Sequence, residues 1–369
     1  MSTVSQPDGR PEEPPDTAGG TVTTRPDGTA TPATRTETTA GPTPEPAAEP
    51  AAEPADARHR LTALQGLAAL SLDAMASVAY GPESIVLVLA AAGSYGLGFT
   101  LPVTLAIAAL LTVLVASYRQ VIAAFPDGGG SYAVAKAHLG RRTALVAAAS
   151  LLLDYVLNVA VSVTAGVAAL TSAFPGLYDD RGTICLAVLV LITGINLRGI
   201  VDSAKAFLVP TAVFIGAVLA VVVVGLVRDA PASTVTADGH ASVLAPNATS
   251  VGALLLLKAF ASGCSALTGV EAVANAVPSF RAPAVRRAQR TEVALGALLG
   301  VMLIGLSVLI GRFHLQPVAG VTVLAQLADA SLGHNWAFYV VQFATMVLLA
   351  LAANTSFGGL PVLMGLLAR

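Results

Sequence analysis

The sequence predicts an all-α integral membrane protein of about eight transmembrane helices behind an acidic N-terminal tail. Three observations carry this. Only 11% of the 369 residues are Asp, Glu, Lys or Arg, against about 25% in a soluble domain. Hydrophobic residues make up 55%, and the mean hydropathy is +0.74. Apolar runs recur from about residue 61 to the end, and those of 18 residues or more can cross roughly 30 Å of hydrocarbon as helices. A single water-soluble globule is excluded.

Residues 1–57 hold ten acidic residues, three arginines and half of the 22 prolines, ending in EPAAEPAAEPADA (45–57). Such a mixture lacks the apolar side chains that offset chain ordering, so a disordered tail is expected. It contains no basic segment leading into an apolar one, so it is not a secretory signal. Residues 58–369 form the transmembrane domain, with spans expected at 62–92, 100–124, 143–173, 182–198, 202–227, 250–277, 291–311 and 335–356. If the tail is inside, thirteen Lys and Arg, from Arg58 to Arg369 and including Arg119, Lys136, Lys205 and Arg290, lie on the inner side, against Arg181, Arg228 and Arg312 outside. The positive-inside rule therefore places the N-terminus in the cytoplasm. The Ala- and Val-rich composition points to a bacterial inner membrane, where the NAT sequon at Asn247 has no bearing.

Several chemistries are unsupported. Cys185 and Cys264 both fall in apolar runs, without a disulfide framework or CxxC spacing. The loop FPDGGGSYAVAKAHLGRR (125–142) lacks the GxxxxGK[ST] pattern and a preceding strand, so it reads as a compact connection or gate rather than a phosphate cradle. No nucleophile and base are arranged together; neither enzyme activity, a cofactor nor nucleic-acid binding is expected.

Four carboxylates stand in or near spans, where each needs a partner, a proton or a watery path: Asp73, Glu83, Asp154 and Glu271. The first span reads ALSLDAMASVAYGPES (69–84). Pro82 removes a donor and disfavours helix at Gly81, so a break is expected near Tyr80. SVAYGPE (77–83) and SALTGVE (265–271) share Ser, Gly and Glu at matched offsets. They lie five spans apart, as in an inverted-topology repeat whose halves each begin with a broken helix. Glu83 and Glu271, at equivalent positions, are expected either to cap half-helix N-termini or to relay protons. Three oxygen-bearing stripes follow from helical spacing: Asp73, Ser77 and Tyr80; Asp154, Asn158 and Ser162; and Cys264, Thr268, Glu271 and Asn275. Facing one another, they would form a cage suited to a hard cation, while the amides and hydroxyls alone can equally bridge helices. Lys258 is expected to snorkel.

The GGGSY loop, INLRG (195–199) and LTGVEA (267–272) resemble the APC superfamily of amino acid, polyamine and organocation transporters. LDAMASVAYGPE (72–83) and LLLLKAFASGCSALTGVEAVANAVPSF (254–280) are similar to its KUP family, in particular the bacterial Kim-type branch of proton-coupled potassium importers. The resemblance implies a LeuT-like bundle of two inverted five-helix repeats, the first about 61–227 and the second about 250–369. It also implies potassium near the midplane and uptake driven by inward proton flow. Carried over residue by residue, Asp73, Tyr80, Asp154, Ser162 and Thr268 are substrate ligands, with potassium held at Asp73, Asp154 and Thr268. Asn158 stands where the Kim-type pattern has threonine. Asp73, Asp154, Glu83 and Glu271 are the proton-coupling candidates. Family members often form dimers, so a homodimer is among the expected partners. The family has twelve spans and a cytoplasmic domain, whereas this sequence stops after the eighth, which is read as a truncated second repeat.

The resulting expectation is proton-coupled potassium uptake. An amino acid permease is the alternative, disfavoured because Asp73 near the break repels a substrate carboxylate; a non-transporting remnant is the third reading.

Overall fold

The structure, a computed structural model, describes residues 60–198, 207–233 and 250–367. The tail 1–57, Arg58, Lys205, Asn247, Arg369 and the start of the fifth expected span lie outside them. The described residues form helices and turns without a strand: α1 (Ala63–Leu70), α2 (Leu72–Leu89), α3 (Gly93–Leu97), α4 (Thr100–Ala124), α5 (Gly130–His138), α6 (Arg141–Ala173), α7 (Arg181–Leu197), α8 (Leu208–Val227), α9 (Ala253–Gly263), α10 (Ala272–Asn275), α11 (Ala284–Arg312), α12 (Val323–Leu332) and α13 (Trp336–Leu367).

Six helical stretches are long and apolar enough to cross a membrane: Leu72–Leu97, Thr100–Ala124, Arg141–Ala173, Leu208–Val227, Ala284–Arg312 and Trp336–Phe357. They occupy the first, second, third, fifth, seventh and eighth expected spans. The fourth becomes the 17-residue α7, and the sixth is interrupted.

The first interruption lies elsewhere than expected. α2 runs unbroken through Tyr80, Gly81 and Pro82, and the chain instead breaks at Ser71, with φ −100° and ψ 5°. The Ser71 hydroxyl donates to the Leu67 carbonyl one turn back, a bond that competes with the helical ladder and bends it. Gly81 serves close packing rather than a break, because a Cβ there would stand 2.6 Å from the Cβ of Ala266. Pro82 is tolerated because surrounding helices and hydroxyls can re-satisfy backbone at membrane depth. Separately, Ser84 Oγ donates to the carbonyls of Gly81 (2.7 Å) and Ser262 (3.1 Å), tying α2 to α9.

The sixth span breaks where expected. After α9 a 3-10 turn, Cys264–Leu267, leads to extended Thr268 and to Gly269 with φ 83°. Residues 77–83 and 265–271 thus differ in backbone, one a continuous helix and the other unwound, because only the second carries a left-handed glycine. Ser77 Oγ donates to the freed carbonyl of Ala266 at 2.7 Å, tying α2 to the break. The start of the first interrupted span also pairs with the chain after the second: Leu61 N–H donates to Ser279 O (2.7 Å), and Arg281 N–H to Leu61 O (3.0 Å).

Two helices have no counterpart among the expected spans. α5 follows the glycine triplet. α12 starts at Thr322, whose hydroxyl accepts from the Ala325 N–H at 3.2 Å, and ends at Gly333 with φ 82°; all nine residues from Val323 to Ser331 are buried.

Candidate functional site

Because the break falls at Ser71, Asp73 sits in the first turn of α2, where the positive end of the helix dipole favours a carboxylate. Asp73 faces the second break directly. A Cβ on Gly269 would stand 2.7 Å from Asp73 Oδ2, so only glycine permits both the left-handed turn and this approach. Asn158 of α6 is the polar neighbour of the Asp73 side chain, while Oδ1 is buried without a hydrogen-bond partner. Glu271 and Asp154 lie within electrostatic reach of Asp73 and of each other.

These groups gather at a cavity of about 410 Å³ between α2, α5, α6, the unwound sixth span and α13. Its lining includes Asp73, Glu271, Tyr132, Tyr155, Thr355 and Ser356, together with Gly129 and Asn275, and no Lys, Arg or His. The glycine loop before α5 is seated on the far wall, with Gly128 close to the carbonyl of Asn275 and Gly130 to its side-chain oxygen. Two acids, with a third in reach and no counter-charge, make a hollow that favours a cation and disfavours an anion. Oxygen ligands of mixed kind suit a hard cation. Among the described residues no three His, Cys, Asp or Glu side chains converge tightly enough for a metal centre built of those groups alone; neutral oxygens have to complete any coordination.

The expected ligands divide. Asp73 lines the cavity, Asn158 stands beside it through its bond to Ser356, and Asp154 is within electrostatic reach. Asn158 is buried, donating to Ser356 Oγ at 2.8 Å, and its Oδ1 receives the Ser162 hydroxyl at 3.5 Å. Ser162 is fully buried and borders an apolar groove between α6, α7 and α13. Tyr80 belongs to a separate cavity of about 380 Å³ with Glu83, Ser84, Ser265 and Thr322. Thr268 is half-buried and borders neither cavity, although it precedes Gly269 directly. The three stripes therefore do not form one cage; the continuity of α2 carries Tyr80 two turns away from Asp73.

The two glutamates part company as well. Glu83 lies in the middle of α2 rather than at a half-helix N-terminus, since no half-helix starts there; its carboxyl instead reaches the backbone N–H of Val323, the first residue of α12. Glu271 does occupy the position before α10, but its side chain makes no capping hydrogen bond. Thr355, Ser356, Tyr132 and Tyr155 are site residues beyond the expected set. Tyr155 falls off the Asp154, Asn158 and Ser162 stripe by helical spacing, and the contribution of α13 has no local signal in sequence.

Comparison with known proteins bears on these features. The profile of a family described as amino acid permease matches residues 64–369. The potassium transporter KimA of Bacillus subtilis (strain 168) is 42% identical over 315 residues, which is 85% of this chain and 52% of KimA. The chain thus spans about half the length of that relative. The apolar helices and the matched profile establish a multi-pass membrane protein, and the chain belongs to the amino acid permease family.

Proposed function

We propose that the chain is a secondary transporter that takes up potassium by alternating access, coupled to inward proton movement. The observation that carries the reading is the cavity at the Ser71 and Gly269 breaks, lined by Asp73 and Glu271 with Asp154 in reach and without a basic residue. The name of KimA supports potassium as the substrate. In this reading Asp73, Asp154, Asn158 and the hydroxyls of Thr355 and Ser356 replace the water shell of the ion, while Thr268, Tyr80 and Ser162 stand outside the cavity. Asp73, Asp154 or Glu271 takes a proton when the ion leaves. One carboxylate cannot hold both at full strength, and that competition is the coupling. Glu83 of α2, whose carboxyl meets the start of α12, is the outer candidate for the same exchange. The two interrupted spans head two inverted repeats of a LeuT-like bundle, with the N-terminus in the cytoplasm of a bacterial cell and a homodimer as the assembled form.

A second reading, amino acid permeation, is favoured by the description of the matched family, but a substrate carboxylate would meet Asp73 and Glu271 without a compensating cation. Potassium uptake by a potassium-deficient bacterial strain tests both. Uptake by the wild-type chain and its loss in Asp73→Asn with Asp154→Asn is the expected result. Unaltered uptake in the double variant contradicts the site, binding of a labelled neutral amino acid irrespective of potassium favours the second reading, and no flux of either solute favours a non-transporting chain.

A further inference from the structure

Glu292 has no role in the site described above, yet its placement is unusual. It lies on α11, is fully buried, and both carboxyl oxygens lack a hydrogen-bond partner. An ionised carboxyl so enclosed costs several kcal/mol even at the lenient end of membrane scales, so the position is stable only while a proton neutralises it. A purely structural residue there would be apolar, or paired.

The surroundings give that proton a route. On one side, Glu271 of the central cavity is within electrostatic reach of Glu292. Tyr118 of α4 lies within electrostatic reach of both glutamates. On the other side, Gln289, one turn earlier on α11, donates to the Arg119 carbonyl at 2.9 Å and lines an open cavity of about 590 Å³ with Arg119, Arg286 and Arg290. Among the elements packed against this part of α11, α4 brings Tyr118 and Arg119, the α10 segment brings Glu271, and α1 brings no titratable side chain. Thr291 Oγ1 bonds the Ala63 carbonyl at 3.1 Å, so the same stretch of α11 grips α1, the inner piece of the first interrupted span.

Resting on the reading of coupled transport above, we propose that Glu292 is the inner proton station: it gives its proton to water in the Arg119, Arg286 and Arg290 vestibule and takes the next one from Glu271. In the first step the O–H bond of the Glu292 acid breaks and its proton passes to inner water, which solvates the carboxylate left behind; in the second the O–H bond of the Glu271 acid breaks as one forms on that carboxylate, restoring the neutral acid. Movement of α1 away from α11 is the event that admits the water.

The test uses the full chain in lipid vesicles, wild type against Glu292→Gln, with two readouts. Rubidium accumulation driven by a pH gradient should be lost in the variant, while rubidium–potassium exchange at equal pH should be kept, because exchange moves no net proton. Difference infrared spectroscopy should show a protonated-carboxyl carbonyl band in the wild type that Glu292→Gln removes. Gradient-driven accumulation equal to wild type, loss of exchange together with accumulation, or a wild-type spectrum without that band would each overturn the assignment. Wild-type vesicles that carry no rubidium at all would sink the transport reading instead, and the infrared band would still decide whether Glu292 holds a proton.

Discussion

Asp73 is positioned by what it touches, and two of its neighbours can be changed singly. Gly269→Ala forces a side chain into a left-handed turn and against Asp73 Oδ2. A cost of about 1–3 kcal/mol is expected from the backbone alone, read as a lower unfolding midpoint in detergent together with lost potassium uptake. Asn158→Leu keeps the volume but leaves Ser356 and Asp73 without their amide partner. The unpaired groups should cost about 1–3 kcal/mol and weaken potassium dependence, checked by thermal unfolding with and without the ion. Much at this scale was legible in sequence, because a carboxylate or amide inside an apolar run is conspicuous: Asp73, Asp154, Asn158 and Glu271 do gather. What stayed hidden depends on which helix faces which. Ser356 and Thr355 enter from α13, nearly 200 residues from Asn158, and Glu292 looks like the edge of a span until α11 proves to begin at Ala284, two turns earlier.

At the scale of elements, α2 overturns the sequence argument in an instructive way. Gly-Pro inside a span signals an interruption on backbone grounds, but Gly81 and Pro82 have different tasks once the helix is packed. Gly81→Ala should be disruptive, since its Cβ meets Ala266 at the second break; an overpacking cost of about 1–3 kcal/mol is expected. Pro82→Ala should leave uptake intact and stability unchanged or raised, because the helix is already continuous there. Measuring unfolding midpoints for both variants separates the two explanations, and loss of uptake in Pro82→Ala would restore the proline to a functional role. The long helices α4 and α6 match their expected spans closely, since uninterrupted hydropathy is sufficient to define them. α12 escaped because ten residues carrying Gln326 and Asp329 are too short and too polar for a span; its signals, Thr322 as N-cap and Gly333 at the end, become meaningful only when the surrounding helices bury it.

For the whole molecule, the distribution of Lys and Arg predicts which loops face the cytoplasm. With Cys185 and Cys264 replaced by serine, Asp180→Cys before α7 should react with an impermeant maleimide in intact cells, and Asp127→Cys before α5 only after permeabilisation; both positions are exposed. The reverse pattern would invert the topology and the direction of transport. The acid-lined hollow remains the feature on which the account turns, and ligand-linked stability examines it without requiring flux. Purified protein titrated with potassium chloride against choline chloride at equal ionic strength should show a rise in unfolding midpoint for potassium alone, growing with the logarithm of concentration above the dissociation constant, and Asp73→Asn should abolish that rise. An equal response to choline, or a full potassium response in Asp73→Asn, would contradict a cation site at Asp73.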